Sequence, residues 1–186
     1  AIGASRFVFF DPAGRNWEYI GGAVLKAVAG VGSFTYLQIE PASVVGLDAD
    51  GNARFSHDFS GEAIAQRVQS IWGMENGDVI IHTIGVEDPQ LNVIRRWTSG
   101  GVELWSYATG GAVTQNPIDT LAASIILGIT DVRGGNQAEI ITRIDMNGGN
   151  VVWEWEAPLN VNREDSRYRT DGAYLWSGIN LHSAQS

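Results

Sequence analysis

Asp145-Met-Asn-Gly-Gly-Asn-Val-Val-Trp153-Glu-Trp155 is the stretch that decides the fold. A turn rich in Gly and Asn runs directly into a strand that carries two tryptophans two residues apart. Residues i and i+2 of a strand share a face, so the phrase presents a flat aromatic pair on one side. It recurs, with substitutions, at Asp11-Pro-Ala-Gly-Arg-Asn-Trp17-Glu-Tyr19, at Asp48-Ala-Asp-Gly-Asn-Ala-Arg-Phe55-Ser-His57 and at Trp97-Thr-Ser-Gly-Gly-Val-Glu-Leu-Trp105-Ser-Tyr107. The leading aromatics are 38, 50 and 48 residues apart. A strand repeat with a period of that size is the mark of propeller blades.

The remaining apolar stretches are short, β-branched and bounded by Gly, Asn, Asp or Pro, as strands are. They predict strands near residues 6–10, 16–20, 33–39, 43–47, 53–58, 78–84, 92–97, 102–107, 123–129, 139–144 and 150–156. Tyr168 and residues 173–179 supply one or two more. Segments 23–29 and 62–71 show some helical spacing. In a strand repeat each is read as a short innermost strand or a single helical turn. The chain starts in mid-repeat, with a hairpin ending at Trp17 and Tyr19, and about half a repeat follows Trp155. Pairing of residues 172–181 with residues 6–20 would complete one blade and remove open edges. The expectation is therefore an all-β, small four-bladed β-propeller-like ring, closed by its N- and C-terminal strands, forming one domain over residues 1–186. A β-sandwich built from the same hairpins is the alternative, and a part-ring that closes only by oligomerising is a further rival.

Composition bounds the function. The 186 residues are 44% hydrophobic and only 18% charged, which suits a compact globule rather than a disordered chain. A net charge of −9, with eleven Arg and the single lysine Lys26, argues against nucleic acid as a partner. There is no cysteine, so disulfides and thiolate metal sites are excluded and either redox compartment is open. No apolar run approaches the length of a membrane-spanning helix. The start, Ala1-Ile2-Gly3-Ala4-Ser5, reads equally as a Met-trimmed start or as the end left by a cleaved signal.

The phrase at Asp145 resembles the tryptophan-docking repeat of the quinoprotein propellers, in which an Asp is followed by Gly four residues later and Trp eight later. Asp145, Gly149 and Trp153 keep that spacing. Trp97, Gly101 and Trp105 keep it with Trp in place of Asp, while Asp48, Gly51 and Phe55 run one residue short and Asp11, Gly14 and Trp17 two short. The resemblance covers most of the chain. It implies that Trp17, Phe55, Trp105 and Trp153 wedge between adjacent blades. It does not extend to quinone chemistry: the adjacent Cys-Cys pair of many family dehydrogenases is absent, and their calcium ligands have no counterpart here. No cofactor is expected.

Few groups suggest chemistry. His57, His82 and His182 are far apart in sequence, and His57 occupies the second aromatic position of its repeat, which packing explains. Asp48-Ala-Asp50-Gly51-Asn52 resembles the opening of a calcium loop but lacks the carboxylate that would finish the cage. Asp48, Asp50 and Asn52 are thus a weak calcium candidate beside the plain reading as a hairpin turn. The carboxylate clusters at Glu87-Asp88, Glu154/Glu156 and Glu164-Asp165 read as solvated, since a glycosidase needs two carboxylates facing across a cleft. Neither a nucleophile elbow nor a phosphate-cradling loop nor a zinc helix motif occurs. Trp72, Trp97 and Trp176 lie outside the repeated pairs and are the candidate surface-binding aromatics, for sugars or a protein partner. Arg95-Arg96 and residues 163–169 read as rim contacts or solvated charges.

The expected function is non-catalytic: a structural or interaction module with protein partners or a homo-oligomeric assembly. Its narrower form is a phage or virus particle component (decoration, tail or attachment protein), in a virion or extracellular setting. The alternatives are a secreted glycan-binding lectin and, third, a quinone-linked or hydrolytic enzyme.

Overall fold

A computed structural model describes residues 5–10, 16–29, 34–74, 76–121, 124–133, 136–156, 168–170 and 175–177. Those residues are all-β: sixteen strands, and one 3-10 turn at Phe59–Gly61. The chain divides into two compact units, Ala1–Ala108 and Thr109–Ser186.

The first unit opens with the hairpin β1 (Ser5–Phe10) and β2 (Asn16–Gly21). Two four-stranded antiparallel meanders follow. The first is β3 (Val24–Ala29), β4 (Thr35–Ile39), β5 (Ser43–Leu47) and β6 (Ala53–Asp58); the second is β7 (Gln66–Gly73), β8 (Val79–Gly85), β9 (Asn92–Trp97) and β10 (Glu103–Ala108). Each meander pairs its strands in chain order, as a propeller blade does. The ambiguous segments 23–29 and 62–71 lead into or hold β3 and β7, the first strands of their meanders.

The sheets of this unit stack face to face. Leu37, Ile39, Val45 and Leu47 of the first meander meet Phe7, Trp17 and Tyr19 of the hairpin. On the opposite face of that meander Tyr36, Val44 and Phe55 meet Val68, Ile71, Val79, Ile81 and Trp97 of the next. The first meander is thus covered on both faces, and β4 is buried at every residue rather than alternating; β9 of the second meander is buried at every residue as well.

In the second unit β11 (Ala112–Leu121), β12 (Ser124–Arg133), β13 (Asn136–Asp145) and β14 (Val151–Glu156) form a third meander, and β15 (Tyr168–Thr170) with β16 (Leu175–Ser177) forms a two-stranded sheet. Sequence patterning misses β11, because Thr-Gln-Asn-Pro interrupts its apolar pattern. Pro117 falls where the register shifts between the Gln115 and Asp119 pairs, a place where a missing N–H costs no ladder bond. Parts of residues 172–181, expected to pair with the N-terminal hairpin, lie outside the described residues. The described strands of β1–β2 and β15–β16 each form a two-stranded sheet.

The outer strands share one irregularity. The register shifts between Ala53 and Phe55, between Glu103 and Trp105, and between Val151 and Trp153. Arg54, Leu104 and Val152 are therefore extra residues directly before the leading aromatic of the repeat. Such a bulge bends the strand and re-aims the side chain that follows.

Candidate functional site

The repeat's turn and its aromatic form one device. In the turn after β5, Asp48 Oδ1 accepts the backbone N–H groups of Asp50 and Asn52, both at 2.9 Å, and Gly51 sits at φ +82°. These bonds hold the Asp48 carboxyl below its usual range, the Asn52 N–H contributing most. In the turn after β9, Thr98 takes the same part: its Oγ1 accepts Val102 N–H at 3.1 Å, and Gly101 is also at φ +82°. In the turn after β13, Asp145 Oδ2 accepts Gly148 N–H at 2.7 Å, with Gly149 at φ +69°. The counterpart of Asp48 is thus Thr98 and not Trp97. From capping residue to leading aromatic the interval is the same in both copies, so the copy at Asp48 is not a shortened version of the copy at Trp97.

The glycines have a second use. A Cβ on Gly51 would stand 2.6 Å from Trp17 Cγ, and one on Gly101 would stand 2.5 Å from Phe55 Cβ. The leading aromatic of one repeat therefore lies on the glycine of the next, at the junction of the two sheets. Phe55 also lies 5.8 Å from Trp97, centroid to centroid. Trp105 is 8% exposed, and Trp153 is half-buried.

Behind Phe55 is a polar cluster that sequence reasoning missed. Arg95 is buried, and its Nη2 donates to Glu62 Oε2 at 2.9 Å and to Gln66 Oε1 at 3.1 Å, while Nη1 donates to Glu103 Oε2 at 3.2 Å. Glu103 also accepts from Trp97 Nε1 at 3.1 Å, and Gln66 accepts from Thr83 Oγ1. The Arg95 guanidinium lies 5.4 Å above the Phe59 ring. His57 packs edge-on against Phe59 and Trp97, at 4.4 and 4.6 Å. This cluster ties β7, β9 and β10 to the 3-10 turn, and both carboxylates are engaged by one guanidinium. Next to it in sequence, Arg96 is paired with Asp78 by bonds of 2.9 and 2.6 Å, and Tyr36 donates to Gly77 O in the same turn. Burial, with the Asp78 charge second, pushes the Tyr36 hydroxyl up to about 12.

A third group lies on β3, β7 and β8. Lys26 Nζ stands 5.5 Å over the Trp72 ring, and Trp72 stacks on His82 at 6.5 Å and 12°. His82 is 2% exposed; its Nε2 is 2.8 Å from Asn92 Oδ1, and its Nδ1 has no hydrogen-bond partner among the described residues. Desolvation lowers the pKa of both Lys26 and His82, at His82 against the opposing pull of Asn92.

These positions revise the surface expectations. Trp97 is 6% exposed and belongs to the core, because the first meander packs on its face of β9; it is not a surface-binding aromatic. Arg95 and Arg96, each 8% exposed, are buried ion-pair partners rather than rim charges. Trp72 is half-buried beneath Lys26. The side chain of Trp176, His182 and residues 163–167 fall outside the described residues. Trp155 is the tryptophan that stands out, at 41% exposed, although the repeat would turn it inward. At the weak calcium candidate, Asp48 faces its own turn amides and the Asn52 side-chain amide, and Asp50 is exposed. Among the described residues no group of three or more His, Asp or Glu is placed to hold a metal ion, and no helix is long and apolar enough to cross a membrane.

No family model matches the chain, and no curated protein matches it. Among solved structures, BamB from Moraxella catarrhalis is similar over 87% of this chain and 45% of its own, at a TM-score of 0.56 and 20% identity. A protein of unknown function from Bacteroides caccae aligns over 76% of this chain and 64% of its own, at a TM-score of 0.45 and 10% identity. This chain spans less than half the length of BamB. At that identity the likeness is one of fold, and with the meanders described above it makes this chain all-β and β-propeller-like.

Proposed function

We propose that the chain is a non-catalytic, β-propeller-like module for protein–protein contact. The observation that carries this reading is the contrast between its interior and its outer strands. The buried arginines of the first unit are engaged by carboxylates, Arg95 by Glu62 and Glu103, Arg96 by Asp78. The outer strands and their turns instead present apolar side chains to water: Val102 at 61%, Leu104 at 47%, Val152 at 54% and Trp155 at 41% exposed. Exposed apolar side chains recur on the outer strand of each unit, and such groups are a feature of interaction sites. The narrower form, a component of a phage or virus particle or another extracellular assembly, rests on composition. The four-bladed ring closed by the chain's own ends stands as the rival to self-assembly of the chain.

The test is affinity capture of the full chain from its source cells, with cross-linking and mass spectrometry, beside a glycan array. A protein retained in fixed stoichiometry is the expected outcome. Specific sugar binding with no retained protein would replace this reading by the lectin. A chromophore on reconstitution with pyrroloquinoline quinone and calcium would replace it by the enzyme.

A further inference from the structure

Each sheet junction of the first unit joins two unlike faces. One face carries the aromatic pair of the outer strand: Trp17 and Tyr19 at the first junction, Phe55 at the second. The other is the opposite face of the following sheet, which supplies Val45, Leu47 and Leu37 at the first junction. The hairpin β1–β2 also has this second kind of face. The pair Phe9↔Trp17 corresponds to Gly46↔Phe55, which makes Val8 the counterpart of Val45. Val45 is 5% exposed, whereas Val8 is 36% exposed and Ile20, on the same face, is 69% exposed. On the third meander Trp155, in the second position of the aromatic pair, is 41% exposed, beside a half-buried Trp153.

We infer that these two open faces join copies of the chain head to tail, the Trp153/Trp155 face of one copy seating on the Val8/Ile20 face of a second. The faces are the two halves of a junction that the chain builds twice within its first unit, so the same shape and chemistry are available between copies. Like most heterologous contacts, this one closes a ring when the rotation per copy permits. Two copies are the smallest ring that unlike faces can close, and the two-fold dimer is the commonest cyclic assembly. The Arg6–Glu18 pair, at 3.0 Å, leaves the Val8 face without a net charge to repel the tryptophans.

The experiment is sedimentation of the full chain and of three variants. The parent is expected to be a dimer, Trp155→Arg and Val8→Asp monomers, and Val86→Asp, in an exposed loop, a dimer. Circular dichroism checks that each variant is folded. Mixing Trp155→Arg with Val8→Asp is expected to restore a dimer, because each retains the face the other lacks. A monomeric parent, a dimer that survives both face variants, or a mixture that stays monomeric would each overturn the inference.

Discussion

Gly51→Ala probes the device on which the repeat depends. Two costs add. At φ +82° an L-residue is strained by about 1–2 kcal/mol. The new methyl would also meet Trp17 Cγ at 2.6 Å and Cδ2 at 2.7 Å, and forced repacking in a filled junction costs about 1–3 kcal/mol. The sum, about 2–5 kcal/mol, is large against the roughly 5–15 kcal/mol that stabilises a domain. Urea denaturation followed by tryptophan fluorescence should show a lower midpoint at unchanged slope. Gly110→Ala is the control: its φ is +70°, nothing lies within 4 Å of the added carbon, and only the strain should appear. In a Trp17→Ala background the ring atoms are gone, so the cost of Gly51→Ala should shrink by a coupling of about 0.5–3 kcal/mol. If the cost is the same with and without the indole, and no larger than at Gly110, the aromatic does not seat on the glycine and the reasoning fails.

Other consequences can be measured on the same chain. Asp78→Asn leaves the Arg96 charge buried without its carboxylate and should cost about 3–5 kcal/mol, while the double variant Asp78→Leu/Arg96→Met should lose much less. Thr98→Ala should lower stability by about 0.5–1.5 kcal/mol, and Thr98→Asp should not, since Asp48 fills that role in the neighbouring turn. His82 has a folded pKa below its unfolded value of about 6.5. The unfolded chain therefore takes up the proton first, and stability present above pH ~6.5 should fall as the pH drops towards the folded pKa. His82→Phe should flatten that part of a urea-midpoint profile, and a profile unchanged by the substitution would contradict it. Trp97→Ala should cost about 3–5 kcal/mol, as a core residue does and a surface-binding aromatic does not.

Local chemistry was legible in the residues alone because it acts over a few positions. Alternating aromatics, Asp-Gly and Gly-Gly turns and β-branched runs carry the strands, the repeat and the all-β class without reference to anything distant. Strand β11 escaped because Pro117 breaks its pattern, and only the register shift in the folded sheet accommodates it. Stacking of sheets decided the rest. Strand β9 lies in the middle of its meander and is buried at every residue, so Arg95, Arg96 and Trp97 went inward despite two charges. Their partners Glu62, Asp78 and Glu103 are spread over 41 residues of sequence, and spacing gives no hint of them. In the turn itself Thr98 is the equal of Asp48, a match of hydroxyl and carboxylate that a motif keyed to Asp overlooks. Trp155 is 41% exposed, although its place in the repeat is that of Tyr19, which packs on the first meander. Turns and strands follow from the chain's own neighbours; which face is covered follows from what packs on it, and that is a property of the fold.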